Sequence, residues 1–343
     1  KVAPNPNIQW HPTTQSRQRP GGPEPQYQWP SEERILSYSA VFLQDPAQAA
    51  QVEQFDKETE SRGLEALSPT SANGDAGTQD SDIRNLVTAG AKSLMVIPAD
   101  PSAVVPALDY AAAQGLKIVS LMLGPTGGKV DVSMQVDNYA IGEEACEFLA
   151  EKVGDSGTLL HVQGDMRAVT AQQRDAGFQD CVKANYPNIT LIVKSGGQWD
   201  PVTAASSVAA VLISNPDLGG IFMASDGYVD SVAQTLSSAG KSAAAGEDGH
   251  VWTVSVDGTP SALDAIRNGK LDASAAQPIT EFVTYGLDYL ELLGDGGELS
   301  VGPTDHGSEI VETDDGYLAD VFPAVFITKD TVDDDSNWAN TVG

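Results

Sequence analysis

Short β-branched runs alternate with amphipathic helical segments along most of this chain, and the clearest unit covers residues 254–269. A β-branched run ends at Asp257. Thr259 then stands where a helix N-cap belongs, Pro260 occupies the first helical position, and Gly269 follows the last periodic residue. The pattern predicts a strand, a tight turn and a capped helix that packs back on the strand. Such turns lie at the carboxyl edge of a parallel sheet, where α/β proteins bind small ligands, so we expect Asp257 to face a cleft.

The same alternation extends through two successive series. The first series predicts strands over 35–42, 93–97 and 117–122 with helices between them, and the second begins with a helix over 139–153 and runs through residue 239. Alternation with short connections indicates βαβ units and mostly parallel sheets. A chain of 343 residues suits two such domains. We therefore expect two α/β lobes of similar size, and the pattern leaves open which lobe receives the helical stretch after Gln277.

The charge balance restricts the partners of this chain. Its formal net charge is −29, from 19 Lys and Arg against 48 Asp and Glu, and the basic residues form no cluster. Such a field disfavours nucleic acid and anionic membrane surfaces, so a neutral small ligand is expected. No run approaches the roughly 20 apolar residues of a membrane span, and no signal-peptide pattern opens the sequence. We expect a soluble protein, compatible with a mature exported form.

The first 30 residues differ in composition from the rest. They hold seven of the 20 prolines together with Trp10, Tyr27 and Trp29. This composition excludes a helix or an internal strand and predicts an extended tail over 1–33, which typically serves as a tether to a cell surface.

Two cysteines, Cys146 and Cys181, fall in separate predicted helices that flank a single strand. They are either two buried free thiols or a disulfide between helices on the same face of the sheet. The four histidines show no ligand spacing, so no metal site is expected.

Motifs for nucleotide binding, nucleophilic catalysis and zinc hydrolysis are absent from the sequence, so no catalytic residue and no cofactor are predicted. Polar and aromatic side chains nevertheless gather at predicted strand ends, and together they resemble the lining of a cleft. Carboxylate, guanidinium and amide groups form the paired hydrogen bonds that adjacent hydroxyls require, and an indole face stacks on a sugar ring. The members of this set are Asp45, Gln48, Arg174, Trp199, Ser225, Asp226, Asp257 and Gln277.

An ordered series of short motifs resembles the ribose-type, or type I, periplasmic sugar-binding proteins, the solute-binding components of ABC importers. The resemblance covers 34–277 and extends more loosely to residue 330. The motifs are Pro98-Ala-Asp100, Val136-Asp-Asn138, Arg174-Asp-Ala-Gly177-Phe178, Ala224-Ser-Asp226, Val256-Asp-Gly-Thr-Pro260 and Ala276-Gln-Pro278.

The resemblance implies two doubly wound parallel-sheet lobes joined by a hinge of three crossovers. The first lobe would comprise 34–137 and 278–300, and the second 138–277 and 301–343, including the segment near 324–328. In this family the position of Arg174 belongs to a sugar-binding arginine, that of Asp257 to its paired carboxylate, and that of Gln277 to a hinge glutamine. Ser225 replaces a common asparagine, and Trp199 stands where an aromatic residue often stacks on the ligand.

The first lobe departs from the family pattern. Asp45-Pro46-Ala47-Gln48 replaces the usual Asn-Pro followed by two aromatic residues, Ile97 replaces an asparagine, and Met122-Leu123 replaces an Asp-Arg pair. The resemblance places Asp45, Gln48 and Met122 in the ligand site. The apolar replacements make ribose itself a poor candidate and indicate a different or less hydroxylated ligand.

The hypothesis that follows is a monomeric receptor that captures a small neutral sugar or polyol by hinge closure and delivers it to the membrane permease of an ABC importer. It would act outside the cytoplasm, either in the periplasm or tethered to the cell surface. One alternative is the ligand-sensing domain of a transcription regulator, which would need basic DNA-binding helices before the first lobe. Another is a carbohydrate-active enzyme that relies on Asp226 and Asp257 without a positioned nucleophile.

Overall fold

The computed structural model describes residues 34–154 and 156–341. The predicted tail over 1–33 lies outside the described residues. In the first part of the chain, strands and helices alternate as β1 (Ile35–Leu36), β2 (Tyr38–Ala40), α1 (Pro46–Arg62), β3 (Glu65–Ala66), β4 (Thr70–Ser71), α2 (Ala76–Thr88), β5 (Ser93–Val96), α3 (Val105–Ala113), β6 (Lys117–Leu121) and β7 (Val132–Val136).

The alternation restarts after β7 and gives the second lobe. Its elements are α4 (Asn138–Val153), β8 (Thr158–Gln163), α5 (Val169–Asn185), β9 (Thr190–Ser195), α6 (Pro201–Ser214), β10 (Gly220–Met223), α7 (Val229–Ser238), β11 (Trp252–Asp257), α8 (Pro260–Arg267) and β12 (Ala273–Ala276). The chain ends with α9 (Ile279–Gly294), β13 (Gly302–Pro303), β14 (Glu309–Glu312), β15 (Leu318–Phe322), β16 (Val325–Thr328) and α10 (Trp338–Thr341).

Two main sheets form the cores of two lobes. The first has the strand order β13-β14-β15-β7-β6-β5-β2-β4, and the second has the order β16-β12-β11-β10-β8-β9. Strands β2, β4, β5, β6 and β7 pair in parallel, as do β8 to β12. In the described residues, each antiparallel pair contains at least one of the late strands β13 to β16. The two-lobed α/β fold with doubly wound parallel sheets is confirmed.

Within residues 34–154 and 156–341, three segments connect the two sheets: residues 136–138 lead from β7 to α4, residues 276–279 from β12 to α9, and residues 322–325 from β15 to β16. Because β7 and β12 both cross over at their carboxyl ends, the carboxyl edges of the two sheets meet at these crossovers. Helix α9 returns to the first lobe and packs on α1 and β6. Strand β16 returns to the second lobe and pairs with β12, as expected for 324–328.

One lobe boundary differs from the sequence-based assignment, which placed all of 301–343 in the second lobe. Strand β15 pairs in parallel with β7 from Leu318 opposite Val132 to Phe322 opposite Val136, and β14 and β13 continue the same sheet. Residues 302–322 therefore belong to the first lobe. Strand β7 pairs with β6 on one side. On its other side it pairs with β15, which forms an antiparallel pair with β14. The alternation does not predict β7 or β13 to β15, because no helix separates β7 from β6 and none separates β13, β14 and β15 from one another.

The unit at 254–269 forms as predicted. Strand β11 ends at Asp257, the Thr259 side chain accepts a hydrogen bond from the backbone N–H of Ala262, and Pro260 begins α8. Gly269 adopts a φ of 67°, which an L-residue with a side chain rarely adopts. The alternation of strand, turn and capped helix thus sets the position of Asp257 at the carboxyl edge of the second sheet.

Helices α4 and α5 lie in backbone contact on one face of the second sheet. A β-carbon added at Gly142 would lie 2.3 Å from the carbonyl oxygen of Arg174, and one added at Gly177 would lie 2.0 Å from the carbonyl oxygen of Tyr139. A disulfide joins Cys146 to Cys181 across the same pair of helices, which is the second of the two interpretations of these cysteines.

In the described part of the chain, no helix is long and apolar enough to cross a membrane.

Candidate functional site

Asp257 is the centre of a hydrogen-bonded group at the carboxyl edge of the second sheet. Its Oδ2 accepts from the Ser225 hydroxyl at 2.8 Å, and its Oδ1 accepts from Nε2 of Gln277 at 2.9 Å. The Arg174 guanidinium lies 3.8 Å away, between Nη1 and Oδ1. The Asp257 side chain remains 24% exposed, so it keeps acceptor capacity toward the cleft. The structure therefore brings together four of the predicted site residues.

Arg174 is buried and is held by the second lobe itself. It projects from α5, where Nε donates to Oδ1 of Asn138 at 2.8 Å and Nη1 donates to the carbonyl oxygen of Ala224 at 2.7 Å. Burial lowers the pKa of this guanidinium, and the carboxylates of Asp257 and Asp226 act in the opposite direction. An arginine in this setting stays protonated, and it provides a fixed positive charge behind the Asp257 carboxylate.

Burial also raises the pKa of Asp257, while the Arg174 charge and the hydrogen bonds from Ser225 and Gln277 lower it. Its backbone has a φ of 126°, an unusual conformation for a residue with a side chain. On its other side, Nε1 of the buried Trp338 donates to the Asp257 carbonyl oxygen at 3.3 Å. The C-terminal helix α10 thus contacts the same residue from behind.

Asp226 lies near Asp257, but its oxygens are engaged within the second lobe. It is buried and accepts hydrogen bonds from the hydroxyls of Ser255, Ser274 and Thr259 and from the Thr259 backbone N–H. Burial, together with the nearby Asp257 charge, raises the pKa of Asp226 to about 7. Because its oxygens accept from Ser255 on β11, Ser274 on β12 and Thr259 in the loop after β11, Asp226 joins these elements and is not a cleft-lining group.

Trp199 lies on the far side of the same edge. Its six-membered ring covers Gly164, the first residue after β8, because a β-carbon at Gly164 would come within 2.2 Å of the indole. The Trp199 backbone has a φ of 56°. The next residue, Asp200, caps α6 by accepting from the N–H groups of Val202 and Thr203. The helix start and Gly164 together hold a half-buried indole at the cleft edge.

The predicted residues of the first lobe have local structural partners. Asp45 is the N-cap of α1, accepting from the backbone N–H of Gln48 at 3.0 Å. The Gln48 side chain is buried, and its Oε1 accepts from the N–H groups of Val41 and Phe42, both at 2.9 Å. The structure thus places Asp45 at the end of the loop after β2 and Gln48 in the first turn of α1, each with an oxygen that accepts from backbone N–H groups.

Met122 follows β6 in a tight γ-turn. Its φ is 65°, and the N–H of Leu123 donates to the carbonyl oxygen of Leu121 at 2.7 Å. This turn is rare and strained for a residue with a side chain, and such strain is concentrated at functional sites. The side chain of Met122 is half-buried beside two apolar clusters, one of which includes Ala47 of α1 and Ile279 of α9.

Strained backbone marks this edge in both lobes. In the described part of the chain, the non-glycine residues with positive φ lie at the carboxyl end of β11 or in the loops after β4, β6 and β9; they are Asp257, Asn73, Met122 and Trp199. Three of these four are predicted site residues. Each such backbone conformation costs on the order of 1–3 kcal/mol, so the concentration of these residues at one edge supports a role of this edge in binding.

Three further residues at this edge were not predicted as site residues. Asn138 was part of a family motif, yet its contact with Arg174 requires α4 and α5 to be placed side by side. Trp338 lies 81 residues after Asp257, and no sequence signal indicates that the two residues are in contact. Phe42 is 40% exposed after β2, and its ring lies against Gly74; the available signal was an apolar residue at the end of the predicted strand 35–42.

No group of three or more His, Cys, Asp or Glu in the described ranges has the arrangement of a metal site.

Comparison with known proteins gives consistent results. A family profile described as a periplasmic binding protein domain matches residues 39–298. The ribose import binding protein RbsB of Bacillus subtilis is 26% identical over 258 residues, which cover 74% of this chain and 81% of that protein. The xylitol-binding protein of Mycolicibacterium smegmatis is 26% identical over 264 residues, covering 77% and 68% respectively.

Among solved structures, the arabinose-binding protein AraP of Geobacillus stearothermophilus superposes with a TM-score of 0.74 at 18% identity. The match covers 88% of this chain and 98% of that chain, and it shows the shared two-lobed fold.

Proposed function

Since the chain belongs to the ribose-type periplasmic binding protein family, we propose that it is the substrate-binding protein of an ABC importer for a small neutral sugar or polyol. The observation that carries the proposal is the partly exposed Asp257 carboxylate, oriented by Ser225, Gln277 and Arg174 at the carboxyl edge of the second sheet. The fixed carboxylate can accept hydrogen bonds from ligand hydroxyls, the guanidinium beside it can donate to them, and Trp199 offers a stacking face.

The ligand would bind between the lobes, and closure about the three crossovers would bring Met122 and the loop of Asp45 and Gln48 toward it. The lobes in this proposal comprise 34–137 with 278–322, and 138–277 with 323–341. We infer that the loaded protein is monomeric and delivers its ligand to a membrane permease outside the cytoplasm. The net charge of −29 supports the expectation that nucleic acid is not a partner.

The protein is proposed to bind without catalysis. The matched relatives are named as binding proteins. The two neighbouring carboxylates, Asp226 and Asp257, do not form an acid and nucleophile pair facing one substrate, because the oxygens of Asp226 are taken by Ser255, Ser274 and Thr259.

The test is a thermal-shift screen with pentoses, hexoses and polyols, followed by calorimetry on each sugar that raises the melting temperature. A ligand that binds the folded state raises it in a concentration-dependent way. We expect at least one member to do so, and we expect Asp257→Ala and Arg174→Ala to abolish the shift. Asp264→Ala, at an exposed carboxylate on α8, is the matched control and should retain it.

A shift that survives in both Asp257→Ala and Arg174→Ala would show that the binding site lies elsewhere. Since Arg174 is buried, Asp257→Asn serves as the variant that keeps the shape of the site. If no sugar or polyol shifts the melting temperature of the unaltered protein, the sugar class is wrong.

A further inference from the structure

The two faces of the cleft differ in polarity. The second lobe presents Asp257 with its partners Ser225, Gln277 and Arg174, a set that both accepts and donates hydrogen bonds. At the facing edge of the first lobe, the residue that directly follows β6 is the half-exposed Met122, and the buried Ile97 directly follows β5. A ligand held between these faces meets polar groups on one side and apolar groups on the other.

Several polar side chains of the first lobe are satisfied by that lobe itself. Oδ1 of Asp45 accepts the Gln48 N–H, and Oε1 of Gln48 accepts two N–H groups of the loop after β2. Nδ2 of Asn73 donates to the Ser71 carbonyl oxygen, and Oδ1 of Asn73 accepts from the Ser71 hydroxyl. Oδ1 of Asp100 accepts from the N–H groups of Ser102 and Ala103. These bonds fix the loops and reduce the capacity of this face to pair with ligand hydroxyls.

The same edge exposes apolar surface. Phe42, which follows β2, is 40% exposed, and Met122 is half-exposed in its γ-turn. Large apolar side chains exposed at the mouth of a cleft lose contact with water when a ligand covers them, and this stabilises the complex. Ligand hydroxyls pressed against such a surface would lose hydrogen bonds to water without replacement.

We propose that the ligand is a deoxy sugar, with adjacent hydroxyls held by Asp257 and Arg174 and with its hydroxyl-poor edge against Phe42 and Met122. This inference rests on the proposed function and specifies the ligand class of the same site. A buried hydroxyl left without a partner lowers affinity by roughly ten- to a hundred-fold, so the apolar face selects against the fully hydroxylated parent sugar.

Calorimetry with matched pairs of sugars tests the inference. Each pair consists of a deoxy sugar and the parent that differs by one hydroxyl: L-fucose with L-galactose, L-rhamnose with L-mannose, and deoxyribose with ribose. In the pair that binds most tightly, we expect the deoxy member to bind roughly ten-fold or more tightly than the parent. A parent that binds as well as or better than its deoxy partner in every pair overturns the inference.

Variants of the first lobe test whether its apolar edge determines the preference for a deoxy sugar over the parent sugar. Met122→Asn places an amide at the turn, and Asn tolerates the positive φ. It should reduce the ratio between deoxy and parent affinities several-fold. Gln44→Ala removes an exposed polar side chain of the loop after β2 and should leave the ratio unchanged. Ile213→Asn, at an 86% exposed residue near the end of α6, is the control for replacing an exposed apolar side chain.

The results of these experiments distinguish a failure of the deoxy-sugar inference from a failure of the proposed sugar-binding function. Binding of fully hydroxylated sugars with no deoxy preference leaves the proposed function intact and overturns the deoxy-sugar inference. A loss of ligand affinity in Gln44→Ala also contradicts it, because a first-lobe side chain would then hold a ligand hydroxyl. The absence of binding to any member of the pairs or of the wider sugar and polyol screen overturns both.

Discussion

Nε2 of Gln277 donates to Oδ1 of Asp257 across a distance of 2.9 Å, and this hydrogen bond joins a crossover between the lobes to the cleft carboxylate. Gln277 is the first residue after β12, on the segment that leads to α9 in the first lobe. Any movement of this crossover therefore changes the environment of Asp257. The bond couples the relative position of the lobes to the group that is proposed to hold the ligand.

We expect Gln277→Met to weaken ligand binding roughly ten-fold or more, because a hydrogen bond to a charged group contributes about 1.5–3 kcal/mol. Calorimetry on the best ligand measures the change. Gln179→Met is the matched control: Nε2 of Gln179 also donates to a carboxylate, that of Asp175, at 2.8 Å on α5. Equal losses of affinity in both variants would contradict a specific role of Gln277.

Stability should depend on pH through Asp226. Its pKa is raised from 3.8 to about 7, so between these pH values the folded protein holds a proton that the unfolded chain has released. The stabilisation from this proton is present at low pH and is lost as the pH rises toward 7. Asp226→Asn removes the titration. The free energy of unfolding of the variant, relative to the unaltered protein, should therefore rise from about pH 5 to about pH 8.

Asp75→Asn is the control for this pH dependence. Asp75 caps α2, and hydrogen bonding from Thr78 lowers its pKa, so its contribution changes only at pH values below the window used for Asp226. The difference between Asp75→Asn and the unaltered protein should stay constant from about pH 5 to about pH 8. A constant difference for Asp226→Asn as well would show that Asp226 does not titrate in this range.

Removing the disulfide should lower the free energy of unfolding but have little effect on ligand affinity. The bond closes a loop of 35 residues between Cys146 and Cys181, for which the chain-entropy estimate is about 3–4 kcal/mol. Denaturant unfolding of a Cys146→Ser, Cys181→Ser double variant measures this loss. Ligand affinity should change less than about three-fold, because the bond from Arg174 to Asn138 still joins α4 and α5. A large loss of affinity in a folded double variant would contradict this.

Gly142→Ala should lower the free energy of unfolding by about 1–3 kcal/mol, because the new β-carbon meets the Arg174 carbonyl oxygen at 2.3 Å and forces α4 and α5 apart. It should also weaken ligand binding, since α5 carries Arg174. Gly77→Ala in α2 is the control, because the nearest atom to its β-carbon would be Oδ1 of Asp75 at 3.3 Å. An unchanged stability of Gly142→Ala would contradict the close contact of the two helices.

Local sequence signals predicted much of the second lobe. The cap at Thr259 and the strand end at Asp257 follow from a few adjacent residues, so the position of the carboxylate was predictable. The contact of Arg174 with Asn138 was not, because it depends on two helices separated in sequence and brought together by Gly142 and Gly177.

The first lobe was harder to predict because polar residues there have two possible uses. Asp45 has the sequence signature of a helix cap as well as that of a ligand-binding residue, and the structure uses one of its oxygens in the cap. Strand β15 was missed because its partner β7 is also not followed by a first-lobe helix. The positive φ at Met122, Trp199 and Asp257 was equally unpredictable, since intrinsic preferences disfavour it.

The close glycine contacts and the disulfide between α4 and α5 affect the kinetics of ligand binding. Because Asn138 and Arg174 are fixed on this cross-linked pair, the polar half of the cleft exists before a ligand arrives. A sugar can thus encounter the second lobe first and lose its freedom of rotation there, with little further ordering of the protein. Under this order of events the second lobe governs the association rate, and the residence time depends on how long the first lobe stays closed over the ligand.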